Sequence, residues 1–251
     1  MTRRLAVAVF LALLTVVFAR AGVKAQAPSG PVEAMVADEK GKPIEDAVVS
    51  MTPLGTMPAA PPPSTALMDQ HDKEFVPYVL PVYVGTRVTF PNRDNIRHHV
   101  YSFSSAKKFE LPLYIGTPAA PVVFDKPGVV ALGCNIHDWM LAYIDVLTAP
   151  YFVKTAADGK ARLEGLAPGA YEARVWHPRL RGDADKTGKP LPLAAVEPAQ
   201  VAFVVSLKSE WRIPRKFVEP YRGSRKKDSR RDVLSHLSGN GGPRRAVSSR
   251  D

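Results

Sequence analysis

The stretch "LGCNIHDWML", residues 132–141, holds the only cysteine of the chain. His137 follows Cys134 by three residues, and Met140 follows His137 by three more. A single cysteine cannot close an internal disulfide, so its options are a partner thiol, a reactive thiol or a metal ligand. Alone, it would read as a small buried apolar residue. With an imidazole and a thioether at C-x-x-H-x-x-M spacing, the metal reading prevails. Thiolate, imidazole and weak thioether are the donors of a blue-copper site, which also requires a second histidine.

That histidine must come from a different element. "RHHVYSF" offers His98 and His99 on one strand upstream. Side chains on a strand alternate faces, so only one of the two can point at a given site. "VVALGC" supplies a strand that ends at the cysteine, and "MLAYIDV" starts another directly after the loop. The region 75–148 is strand after strand, rich in β-branched and aromatic residues, with Gly85 and a Lys-Pro-Gly turn at 126–128 as punctuation. Residues 31–53 read as two strands around Lys40-Gly41-Lys42-Pro43, and "PAAPPPS" at 58–64 is a loop. Residues 151–208 form a second block with turns at Asp158-Gly159 and Pro168-Gly169. The expected class is all-β: a β-sandwich over 30–150, then a smaller β-sandwich over 151–210.

The residues resemble the cupredoxins, amicyanin and plastocyanin above all. "EFVPYVLPVYVGTRVTFPN" is similar to that family's F-x-P segment, its G-x-x-V-x-F turn and strand, and the asparagine that follows. "CNIHDWM" has amicyanin's ligand spacing, and "HHV" stands where the family has His-Asn-Val. The resemblance implies a Greek-key sandwich holding one type 1 copper through His98, Cys134, His137 and Met140, with His99 in the place of the asparagine. It implies an electron carrier, not an enzyme, with a periplasmic dehydrogenase or c-type cytochrome as partner. The chain also resembles exported methylamine utilization and plastocyanin-like proteins, and 151–178 resembles the carboxypeptidase-regulatory-like β module. The rival expectation is a copper-binding, copper-delivery or scaffold protein with no electron-transfer role.

Other candidates read as structural. Trp139 and Tyr143 are expected to pack around the site. Met68 with His71 has the makings of an accessory copper pair, although such a histidine more often lies on a solvated loop. His177 follows a strand of the second block and reads as structural.

Charge separates the ends from the body. The chain is +10 overall, but 212–251 carry twelve Lys/Arg against four Asp/Glu, and four more positives sit in 1–25. The body is then close to −2, which argues against nucleic-acid binding. Residues 1–25, with "MTRR", a 14-residue apolar run and "ARAGVKA", read as a cleaved signal peptide for the periplasm. The run falls short of the roughly 20 residues of a transmembrane helix. The tail from 212 is expected to be disordered, with solubilisation, an acidic partner or anionic lipid as its open roles.

Overall fold

The computed structural model describes residues 30–118 and 120–209. The expected signal segment and the basic tail lie outside the described residues. Seventeen strands and one short 3-10 turn make up the described chain. In order they are β1 (Val32–Asp38), β2 (Val48–Pro53), β3 (Thr65–Leu67), β4 (Asp69–His71), β5 (Glu74–Val76) and β6 (Val79–Tyr83). Next come β7 (Thr86–Thr89), β8 (His98–Ser104), β9 (Lys107–Tyr114), β10 (Val122–Phe124), β11 (Gly128–Gly133) and β12 (Leu141–Leu147). The last are β13 (Tyr151–Lys154), β14 (Lys160–Leu163), β15 (Gly169–Trp176), β16 (Lys189–Leu193) and β17 (Ala199–Val205). The chain is all-β, as its residue pattern requires. Among the described residues no helix is long and apolar enough to cross a membrane.

Two apolar cores organise these strands. The first lies under the five-stranded sheet β6-β12-β11-β8-β9, with the sheet β10-β7-β3 and the β4–β5 hairpin. Alternation along β11 and β12 builds it: Val130, Leu132, Ala142, Ile144 and Val146 all point inward. Phe90 and Phe124 are fully buried, and their rings lie 6.5 Å apart with Phe109 5.5 Å from Phe90.

The second core lies between the sheets β14-β1-β17 and β13-β2-β15-β16. Val32, Val36, Val49, Met51, Leu166 and Val175 are among its buried members. Here the strand pairing departs from the grouping expected from the sequence. β1 and β2 were expected within the 30–150 block, but β1 pairs with β14 and, in parallel, with β17. β2 pairs with β13 and β15. The first sandwich is thus inserted between β2 and β13 of the second. Met51 opposes Tyr151, so the two ends of the insertion lie side by side. Period-two alternation fixes which face of a strand is buried, not which strand it pairs with.

Tight turns hold the scaffold where a side chain would not fit. Gly159 has φ +74°, and a Cβ there would stand 2.5 Å from the carbonyl oxygen of Val36. Gly133 pairs with Tyr101 across β11 and β8, and a Cβ on it would lie 2.8 Å from the Tyr101 ring. This close approach fastens together the two strands that carry the thiol and the histidines.

Candidate metal centre

β11 runs inward-facing at Val130 and Leu132, and the same alternation puts Cys134 into the first core at 3% exposure. The chain then turns. Met140 N–H donates to the His137 carbonyl at 3.0 Å, which closes the loop and returns the chain to β12. Met140 itself is buried in the same core as Cys134. His137, between them, is half-buried, and its Nδ1 lies 3.8 Å from the Cys134 Sγ.

β8 sends the two adjacent histidines to different faces. His98, Val100 and Ser102 share the inward face and are fully or almost fully buried. His99 takes the outward face, where its Nε2 meets Glu110 at 2.7 Å and its ring lies 5.5 Å from Tyr101. His98, Cys134 and His137 each bring one donor atom within 4.8 Å of the others, and His99 is not in the group. The His98 and His137 rings are 4.9 Å apart.

The loop before β8 fixes the ring of His98. Asn92 donates to the carbonyls of Ile96 and Tyr114 at 2.9 Å each, and its own oxygen accepts from Asp94 N–H at 3.0 Å. Asp94 is thereby set 2.7 Å from His98 Nε2. Backbone N–H groups of Asp72 and Lys73 donate to the same carboxylate at 2.6 and 2.8 Å. Burial alone would raise the Asp94 carboxyl, but the His98 bond and these two N–H groups together hold it below its ordinary value. An ionised carboxylate accepts only, so His98 carries its proton on Nε2. Nδ1 is left as a lone-pair donor, buried and with no hydrogen-bond partner.

That orphaned nitrogen is the test of fit for a metal. A buried polar atom left unsatisfied costs about 1–3 kcal/mol. Here it sits in a group with a buried thiol and a second imidazole. His137 is held below its ordinary pKa first by burial, with the nearby Lys73 ammonium adding to the effect. A lowered pKa favours the neutral, metal-binding form. The soft sulfur and two imidazoles suit copper, and the residues present fit it.

Other expectations resolve differently. Trp139 does pack against the site: its ring is 5.1 Å from His137, and its Nε1 donates to the Lys73 carbonyl at 3.2 Å. Tyr143 turns to the opposite face of β12 and packs on Tyr78 and Trp176. Met68 and His71 do not form a pair, since Met68 is fully buried and His71 is exposed. His71, Asp72 and Asp94 converge instead, largely at the surface. His177 is structural as expected: its Nδ1 accepts from Arg179 N–H at 3.1 Å, and burial pushes its pKa down to about 4. Asp94 is the participant that residue typing missed. Its signal was a carboxylate four residues before a histidine, in a turn opened by Pro91-Asn92.

Asp94→Ala is expected to weaken copper binding by about 10–100-fold, the usual loss when the partner of a ligand histidine is removed. Asp94→Asn, whose amide oxygen still accepts from Nε2, should recover part of it. Competition titrations with a copper chelator measure both, and equal affinity in wild type and Asp94→Ala would show that the carboxylate does not orient the ring.

No protein-family model matches the chain, and no curated protein matches it. Solved structures similar to it include the purple cupredoxin from Nitrosopumilus maritimus, 24% identical over 33% of this chain and 99% of that one, with a TM-score of 0.29. A reduced amicyanin variant is 22% identical over 39% of this chain and 99% of its own, with a TM-score of 0.31. A copper-containing nitrite reductase from Thermus scotoductus is 24% identical over 45% of this chain and 28% of its own, also at 0.31.

Proposed function

We propose that the chain would hold one copper ion through His98, Cys134 and His137, with Met140 as a weak thioether donor, and carry single electrons between redox partners. The observation that supports this most is the buried His98 Nδ1, held by Asp94 in the metal-binding tautomer and left without any partner beside Cys134 and His137. Bound copper supplies a one-electron couple. The chain supplies the rest. Its donors come from β8 and from the loop between β11 and β12, both packed on the first core. His137 is the half-exposed member of the set, so its ring edge is the contact offered to a partner. From the family resemblance we take the partner to be a dehydrogenase or c-type cytochrome of the periplasm, with export by the N-terminal segment.

A copper-holding or delivery role is the second reading, favoured by the second sandwich, which exceeds what a shuttle requires. The two separate by spectrum and voltammetry. A carrier loaded with Cu(II) is expected to show an intense thiolate-to-copper band in the red and a reversible couple. A delivery protein prefers Cu(I) and yields it to a thiol competitor.

The histidines give a sharper test. His98→Ala should abolish the red band, while His99→Ala should keep it with at most a small shift, because the two rings leave opposite faces of β8. A lost band in the His99 variant with a retained one in His98→Ala would place the ligand one residue downstream.

A further inference from the structure

A second site lies away from the metal donors, between the outer face of β12 and the β2–β15 side of the second sandwich. There the two modules leave a cleft of about 600 Å³, within the usual range for small-molecule sites. Val129, Leu147 and Pro178 give it apolar walls, and Trp176 an aromatic one. Asp145 also lines it. Ala142, Ile144 and Val146 face the first core, so Asp145 falls on the opposite side of β12.

The carboxylate is placed unusually. Asp145 is only 6% exposed, and its Oδ2 is buried with no hydrogen-bond donor. Burial raises its carboxyl to about 6, and no neighbouring cation offsets the shift. The basic residues of the cleft are Arg174, Lys208 and His177. Arg174 is engaged by Glu172 and Asp185 and His177 by the backbone of Arg179, while Lys208 is solvent-exposed and makes no ion pair with Asp145. A buried carboxylate without a partner is costly, and a bound N–H donor removes that cost.

We propose that this cleft binds a small organic cation, an aliphatic primary ammonium, through Asp145, with Trp176 as the aromatic wall. The lining argues against an anion and against calcium. An anion would meet the Asp145 carboxylate, with Asp183 and Asp185 also on the cleft wall. Calcium takes about six to eight oxygen ligands, and of the three carboxylates here Asp185 is held by Arg174 and Asp183 accepts from the Asp185 N–H. An ammonium supplies three donors to the carboxylate and a charge that favours an aromatic face. The site uses no metal ligand, so it stands apart from the copper reading.

The test is calorimetric titration of the full chain with n-butylammonium at pH 7.5, with n-butanol and butyrate as isosteric controls. Saturable binding of the ammonium alone is expected, with amide shifts in 145–148 and 174–178 by NMR. Asp145→Asn should weaken it by at least about tenfold, the scale of a lost charge-assisted contact. Trp176→Leu should weaken it less and leaves the carboxylate in place. Absence of saturable binding overturns the site, as does equal binding by the Asp145→Asn variant. Butanol binding as tightly as the ammonium would show that no charge is read, and overturns it too.

Discussion

Cys134→Ser is expected to abolish the red absorption of the copper-loaded protein while leaving the sandwich folded. The band requires charge transfer from a thiolate, and a serine hydroxyl stays protonated at neutral pH and binds copper poorly. Affinity for Cu(I), the softer ion, should fall furthest. The fold should survive, because the first core rests on Val130, Leu132, Ile144, Phe90 and Phe124 and not on one sulfur. Burying a hydroxyl at a position 3% exposed costs about 1–3 kcal/mol if it finds no partner, and less if it bonds to His137. Absorption spectra of the loaded variant and thermal melting of the apo variant check both halves. An unchanged red band would end the blue-copper reading. A variant that lost the band by failing to fold would instead show a collapsed melting transition, so the two failures are distinguishable.

Phe90→Ala should be the most damaging single truncation in the first core. The ring is 1% exposed, lies against Phe109 and Phe124, and belongs to the residue whose carbonyl accepts from Tyr114 Oη at 2.7 Å and from Gln70 Nε2 at 3.3 Å. Deleting a buried ring typically costs about 3–5 kcal/mol, the sum of lost transfer energy and the cavity left behind. Against a total stability of about 5–15 kcal/mol this is about a fifth of the protein's reserve at the least. Two residues on, Asn92 positions Asp94, so loosening this segment should also blur the orientation of His98. The control is Phe103→Ala, an aromatic truncation at 80% exposure, expected within about 0.5 kcal/mol of wild type. Urea unfolding of the apo proteins gives both numbers. A loss below about 1 kcal/mol in Phe90→Ala would mean the core collapses around the gap.

The candidate metal loop was legible in the sequence because its information is local. Three donor types within seven residues, bracketed by "VVALGC" and "MLAYIDV", state both the chemistry and the strands that hold it. Alternation said only that one of His98 and His99 could face the site, and the preference for His98 came from the resemblance of "HHV" to the family's His-Asn-Val. Asp94 was not legible, since a carboxylate in a turn has many uses and only the folded loop aims it at Nε2. The sheet partners of β1 and β2 were not legible either. Their alternation was read correctly, but Val32 finds Ala199, and that information is held by distant residues. Asp145 was hidden in the strand "MLAYIDVL" for a related reason. Its meaning depends on a second module packing over the outer face of β12.

The inserted arrangement of the two sandwiches sets an order of events when the chain is made. All strands of the inner sandwich lie between Thr65 and Leu147, so it can close without waiting for the later residues. β1 and β2 emerge first, yet must wait for β13–β17, and the parallel β1–β17 contact comes last. Contacts between residues far apart in sequence form slowly, because the intervening chain loses its freedom before it gains the contact. Closure of the inner sandwich shortens that search by bringing Met51 beside Tyr151 and nucleating β2 on β13. Until then β1 and β2 present unpaired edges, and the nascent outer half is the part of this protein most exposed to misassociation.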